Sequence, residues 1–300
     1  MKKLKGLYTA LITPFTQNNK LDEDGLRHLI HRQLAENIEG IVLMGSTGEA
    51  PTLTDEEKRR IITIGKEEIG NSCKLIIGTG SYSTEQTILD TQEAAHLGAD
   101  AALIVVPYYN RPSQEGLYLH FKTVAEASKI PIIIYNVPGR TGSNLLVETL
   151  VRLAEIPSIV ALKDCSANVL QISESIALTK QIRDDFSILS GDDAITLPLM
   201  VLGGDGLLSV ASNLLPKEVK ELVDAATNHD FAKAKELHHQ LMPFFKAIFV
   251  ETNPIPIKKV LELCGLPSGP CRLPLCEPSL RNIAILTEIA QQYYPMEVNR

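Results

Sequence analysis

An α/β fold, a (β/α)8 TIM barrel with a C-terminal helical appendage, is predicted by three observations on this 300-residue sequence. Short apolar runs recur eight times, a stretch with helical periodicity separates each from the next, and beyond the eighth run the pattern is helical only. Near-continuous apolar strands suit a parallel sheet covered on both faces, and eight alternating β and α units close a barrel. An open, doubly wound sheet is the competing architecture. Nothing like G-x-G-x-x-G follows the first run, which counts against it.

The runs are LYTALITPF (7–15), GIVLMG (40–45), KLIIGTG (74–80), AALIVVPYY (101–109), PIIIYNVP (131–138), SIVALKDCS (158–166), SILSGDD (187–193) and GLLSVASN (206–213). Helix signals lie between them. In TDEEKRRIITIGKEEIG, Thr54 and Glu57 fit a capping box, and Ile61, Ile62, Ile64 and Ile69 supply an apolar face. Ser83 and Gln86 suggest a second box, and similar signals follow the third to sixth strands. From about Pro216 come PKEVKELVDAATN, DFAKAKELHHQLMPFFKAIFV, PIPIKKVLELCG and PSLRNIAILTEIAQQYY. That is more helix than one barrel unit needs, so a catalytic barrel is expected over 1–224 and a helical region over 225–300.

Composition narrows the function classes. An apolar fraction of 44% indicates a sizeable core, and a net charge of −7 without a Lys/Arg cluster argues against a nucleic-acid partner. Lys2, Lys3 and Lys5 at the start are not followed by the long apolar run of a signal peptide or a membrane span. Five cysteines without paired spacing read as reduced thiols, and the expected compartment is cytoplasmic.

Catalytic groups of such barrels stand at the C-terminal strand ends. Those positions hold Thr13, GSTGE (45–49), TGSYS (79–83), PYYNRPS (107–113), YNVPGRT (135–141), LKDCS (162–166), SGDD (190–193) and SVASN (209–213). They are rich in hydroxyls and contain one lysine and no histidine. His28, His31, His96, His120, His229, His238 and His239 all fall in predicted helices, and Cys264, Cys271 and Cys276 lack a C-x-x-C pair. A metal site is therefore not expected.

Lys163 directly follows Val160, Ala161 and Leu162. Desolvation there would favour a neutral amine, able to form an imine with a 2-oxo acid. The alternative is a structural ion pair with Asp164 or Asp192. Tyr135 ends the neighbouring strand and could shuttle protons. Ser46 and Thr47 offer hydroxyls, with N–H groups at a helix start, for a carboxylate. Arg140 could grip a second one.

These residues resemble the class I pyruvate-dependent aldolase family, from about Lys5 to the last helix. The motifs are GSTGE, PYYNRPSQEG, YNVPGRTG, the strand-end Lys163, LSGDD and LGGDG. The resemblance implies that Lys163 forms the imine with pyruvate and that Tyr135 donates and accepts protons. It implies a relay through Ser46 and through Tyr109 from a neighbouring subunit. Thr47 matches the binder of the pyruvate carboxylate, Leu208 a position whose backbone lies against pyruvate, and Gly191 of LSGDD a further substrate contact. Ser46 stands where the family usually has Thr, as is also typical of the sialate lyase branch. Arg140 resembles the group that holds the carboxylate of L-aspartate 4-semialdehyde; sialate lyases lack it.

The implied activity is attack of a pyruvate enamine on that semialdehyde. Ring closure by transimination follows, an early step of the diaminopimelate route to lysine. No metal or organic cofactor is implied. The implied assembly is a homo-oligomer, a dimer or a tetramer built as a dimer of dimers. Two alternatives stay open: an N-acetylneuraminate lyase or 2-keto-3-deoxy sugar acid aldolase, and a silent barrel that senses a small acid. Feedback by lysine is expected to be weak or absent. Asp55, Lys58, Tyr82 and Gln86 replace the effector-binding residues of sensitive relatives, and only Tyr108 remains.

Overall fold

The structure, a computed structural model, describes residues 3–294. Eight parallel strands close into one barrel, in sequence order with the last paired to the first. They are β1 (Gly6–Ala10), β2 (Gly40–Leu43), β3 (Lys74–Gly78), β4 (Ala101–Val105), β5 (Ile132–Asn136), β6 (Ile159–Asp164), β7 (Ser187–Ser190) and β8 (Gly206–Ser209). The barrel helices are α1 (Glu23–Ala35), α2 (Asp55–Ile69), α3 (Thr84–His96), α4 (Gln114–Ala127), the single turn α5 (Pro138–Thr141), α6 (Val147–Ala154), α7 (Val169–Ile182), α8 (Thr196–Val201) and α9 (Pro216–Thr227). Three more helices follow: α10 (Phe231–Ala247), α11 (Ile255–Leu263) and α12 (Leu280–Tyr293). Helix α9 packs on β1 and β8, whereas α10 lies on α9 and α12. The expected division at 224/225 falls in the last turn of α9.

Strand alternation sorts the apolar residues into two cores. Ile132, Ile134, Leu162, Ile188 and Leu207 face the helices. Tyr8, Leu103, Ile133, Tyr135, Ala161, Leu189 and Leu208 fill the barrel interior. Between β5 and β6 the register shifts: Ile132 pairs with Ile159 but Ile133 with Ala161. Val160 is the extra residue, and this bulge turns Ala161, and with it Lys163, towards the interior.

All eight strands are shorter than the apolar runs that announced them. The tails of those runs, such as Pro107 to Tyr109 and Cys165 to Ser166, leave the sheet and become the loops at the barrel mouth. The Thr54–Glu57 capping box forms, with both reciprocal bonds. The Ser83–Gln86 box forms only by half. Ser83 accepts from the Gln86 N–H, but the Gln86 side chain donates to Asp90 instead of returning to the cap. His229 is not helical either: it sits in the turn after α9 with φ +59°.

Candidate active site

At the C-terminal mouth, Tyr135 and Lys163 are register partners on β5 and β6, and Lys163 pairs with Leu189 on β7. The Lys163 Nζ lies 4.2 Å from the centre of the Tyr135 ring. Lys163 is 5% exposed, and desolvation lowers its pKa from the ordinary lysine value, with weaker opposition from Cys165 and Asp193. Neither candidate carboxylate pairs with it. Asp164 accepts from the Ser166 N–H (2.8 Å) and hydroxyl (2.6 Å), and Asp192 from the Ala194 N–H (2.9 Å). The structural ion-pair alternative is not realised.

Burial drives the Tyr135 phenol well above its usual range, so it holds its proton, while Arg140 and Ser46 partly oppose that shift. Burial likewise pushes the Cys165 thiol up to about 12. Asp193, whose carboxyl is pushed up to about 6 by desolvation, is fully buried below the mouth. It accepts from the Ser209 hydroxyl (2.5 Å) and from the Val210 and Ala211 N–H groups (3.1 and 3.3 Å), which ties the β7 and β8 loops together.

Gly191 makes room for the lysine. A Cβ there would lie 2.5 Å from Lys163 Cε, so only glycine accommodates the stem at this separation. Gly78 does the same for the GSTGE loop, since its Cβ would lie 2.1 Å from the Met44 carbonyl oxygen. Ser46 and Thr47 do not begin a helix, contrary to expectation. Their segment is a run of tight turns with Glu49 at φ +52°, a conformation that breaks helical propagation. The Gly48, Glu49 and Ala50 N–H groups bond back to Gly45 and Ser46 carbonyls. Those of Ser46 and Thr47 make no such bond among the described residues and can serve a carboxylate.

The mouth holds two connected cavities. The inner one, about 110 Å³, is lined by Thr47, Lys163, Cys165, Gly191 and Asp192 among others. The outer one, about 330 Å³, adds Thr52, Tyr108, Pro274 and Leu275. Ser46, Tyr135, Arg140 and Asn253 line both and therefore stand at the junction. The inner chamber is the size of a small molecule and the outer one is larger, with Arg140 among the residues that line both. Of the expected residues, Lys163, Tyr135, Ser46, Thr47, Arg140 and Gly191 thus come together. Leu208 is fully buried in the barrel interior and lines neither cavity, so the structure does not bring it to the site. Tyr109 lines neither cavity; it is 90% exposed with φ +69°.

Two residues of the appendage escaped sequence reasoning. Asn253 Nδ2 donates to Thr47 Oγ1 at 2.8 Å, and its backbone carbonyl accepts from Arg140 Nη2 at 2.8 Å. The Lys258 Nζ forms a buried pair with Glu49 at 2.7 Å and also donates to the Thr13 and Pro270 carbonyls. Glu49 further accepts from the Arg272 N–H at 2.9 Å. Asn253 lies 206 residues from its partner, beside a proline between two helices, where a sequence reads simply as a turn. Among the described residues, no three His, Cys, Asp or Glu side chains group as metal ligands, and no helix is long and apolar enough to cross a membrane.

A dihydrodipicolinate synthetase family model matches residues 3–292. The 4-hydroxy-tetrahydrodipicolinate synthase of Protochlamydia amoebophila is 53% identical over 294 residues, covering 97% of this chain and 98% of the relative. The crystal structure of dihydrodipicolinate synthase from Aquifex aeolicus superposes with a TM-score of 0.94 at 44% identity, over 98% of this chain and all of that one. The lysine-bound enzyme of Cyanidioschyzon merolae gives a TM-score of 0.92 at 39% identity, over 96% of this chain and 97% of that one.

Proposed function

The chain belongs to the dihydrodipicolinate synthetase family, and on that premise we propose that it is a Schiff-base lyase condensing pyruvate with L-aspartate 4-semialdehyde. The products are 4-hydroxy-tetrahydrodipicolinate, a precursor of lysine, and water. The observation that carries the reading is Lys163: a buried amine without a carboxylate partner, its pKa lowered by desolvation, at a barrel strand end beside Tyr135.

The neutral Nζ attacks the ketone carbon of pyruvate, and the Tyr135 phenol protonates the departing hydroxyl, which leaves as water. The iminium so formed withdraws electrons, and loss of a C3 proton gives the enamine. Its C3 attacks the aldehyde carbon of the second substrate, whose oxygen takes a proton. The substrate amine then attacks the imine carbon and displaces Lys163, so the ring closes as the enzyme is freed. Thr47 and the free N–H groups of its loop hold the pyruvate carboxylate, and Arg140 at the cavity junction holds that of the semialdehyde. Gly191 admits the lysine stem. No metal or organic cofactor enters the scheme.

Tyr109, outside the cavities of its own chain, fits a relay with Ser46 and Tyr135 in a neighbouring subunit, which makes the working unit a homo-oligomer. Val169 and Leu170 at the start of α7, and Val201 and Leu202 at the end of α8, are exposed apolar residues, which supports assembly into a tetramer. Its five free cysteines suit a cytoplasmic enzyme. The test is to incubate the protein with pyruvate and borohydride, locate the label by mass spectrometry, and then assay condensation with the semialdehyde. Label on Lys163 with ring formation is expected. Label on another lysine, or cleavage of N-acetylneuraminate in place of condensation, would overturn the reading.

A further inference from the structure

The Asn253 side chain makes one hydrogen bond among the described residues, from Nδ2 to the Thr47 hydroxyl oxygen; its Oδ1 is buried without a partner. A threonine hydroxyl has one proton and two lone pairs. With an amide N–H on the oxygen, the proton is left to point elsewhere, and Thr47 lines the inner chamber beside Lys163. Were the neighbour an acceptor, the hydroxyl would donate to it and turn its lone pairs on any carboxylate in the chamber.

We propose that Asn253, reaching in from the loop between α10 and α11, is a positioning residue that aims the Thr47 hydroxyl proton at the carboxylate of pyruvate. This rests on the reaction proposed above. The same residue's backbone carbonyl holds Arg140, but that contact survives any side-chain change. Asn253 lines both cavities, but its side-chain hydrogen bond goes to Thr47, so truncating that side chain should act chiefly on the pyruvate end of the site.

Two variants test this, with folding checked by circular dichroism. In Asn253→Ala the hydroxyl is released, and half-saturating pyruvate should rise about three- to tenfold, in borohydride trapping and in turnover alike. The KM for the semialdehyde should stay within about twofold. The near-isosteric Asn253→Asp carries the test if the alanine variant does not fold. An ionised carboxylate there captures the Thr47 proton and repels the substrate, so half-saturating pyruvate should rise about tenfold to a hundredfold at neutral pH. As the pH falls from about 8 to about 5, burial and the nearby Asp192 favour protonation of the introduced carboxyl against the opposing pull of Arg140 and Lys163 in the same chamber, and the protonated form can donate to Thr47. Its deficit relative to wild type, measured at each pH, should then narrow, which a merely structural role would not produce.

The inference fails if wild type is labelled on Lys163 while both variants saturate with pyruvate as wild type does. It also fails if the semialdehyde KM moves instead, or if the aspartate deficit is independent of pH. Wild-type label away from Lys163 would bring down the reaction itself, and the inference with it.

Discussion

Replacing Gly191 with alanine separates the lysine's position from its mere presence. The added Cβ would stand 2.5 Å from Lys163 Cε, 2.8 Å from Lys163 Cγ and 2.3 Å from Cys165 Sγ. Non-bonded carbons settle at about 3.5–4.0 Å, so the lysine stem must retreat by roughly 1 Å. The Tyr135 ring close to Nζ blocks one side, so the stem can retreat only into the inner chamber, out of its present register with the ring. The loop cannot back away cheaply either, since the Gly191 N–H is bonded to the Asp164 carbonyl at 2.8 Å. A misplacement of about 1 Å in a reacting group costs on the order of a hundredfold in rate. Overpacking of this kind costs about 1–3 kcal/mol of stability, a loss of several degrees in Tm at about 2–4 °C per kcal/mol. The assay is the rate of pyruvate trapping by borohydride under single-turnover conditions, with Tm measured alongside. The expected result is trapping slowed by about tenfold to a hundredfold in a folded protein. A variant that traps pyruvate at the wild-type rate would refute the claim that this glycine sets the lysine's position.

Lys163→Met should abolish trapping and turnover while stabilising the fold at neutral pH. Burial lowers the folded-state pKa, so between that value and the unfolded one, near about 10.4, the unfolded chain binds the extra proton and wild-type stability rises with pH. Urea unfolding should thus show the variant's advantage shrinking as pH rises through that window, and an advantage that grows would contradict the sign. Arg140→Ala should leave imine trapping intact and lower the semialdehyde kcat/KM by about tenfold to a hundredfold, the worth of one charge-assisted contact at about 1.5–3 kcal/mol; an unchanged kcat/KM would remove Arg140 from the site. Lys258→Met should cost about 3–5 kcal/mol in denaturant unfolding, because Glu49 is left charged and buried, and a loss under about 1 kcal/mol would mean that Glu49 finds water or another partner. Lysine should inhibit weakly: Gln86, bonded to Asp90, offers an effector ammonium no carboxylate of its own, and Lys58, though paired with Asp55 at 3.2 Å, still bears electrostatically on Tyr108, whose ring meets Tyr82 edge-on at 5.5 Å. Half-inhibition well below about 1 mM at subsaturating pyruvate would show the effector site to be elsewhere.

The barrel was legible because its determinants are local. Each parallel strand must be apolar on both faces, and each helix must show a cap and one apolar face, so eight repeats of the signal leave few alternatives. The strand ends were less legible, since runs such as AALIVVPYY stay apolar while passing from sheet into loop. The Gln86 side chain found Asp90 one turn along its own helix, a competition that spacing cannot rank. Lys163 and Tyr135 could be placed from strand position alone. The bulge at Val160, which decides which β6 side chains turn inward, leaves no mark in the sequence. Asn253 and Arg272 act across more than two hundred residues of chain, where no periodicity reaches.

Two buried lysines show why residue type and burial alone do not identify a catalytic amine. Lys163 and Lys258 are both nearly inaccessible, both stand in apolar surroundings, and burial lowers the pKa of both. Their neighbours part them. Lys258 has a carboxylate at 2.7 Å and two carbonyls on its remaining donors, which is the company of an amine held as a cation. Each Nζ lies over an aromatic ring, Lys163 over Tyr135 and Lys258 over Phe15, but Lys163 faces an open chamber and has no carboxylate within ion-pairing distance among the described residues, so desolvation meets only weaker opposition and favours the neutral nucleophile. Lys258 in turn serves Lys163. Through Glu49 it fixes the GSTGE loop that carries Ser46 and Thr47, and the loop between α10 and α11 aims Thr47 from the other side through Asn253. The chain beyond the eighth strand therefore belongs to the site in a physical sense: α11 supplies the countercharge to Glu49, and the loop before it supplies the hydrogen-bond donor to Thr47.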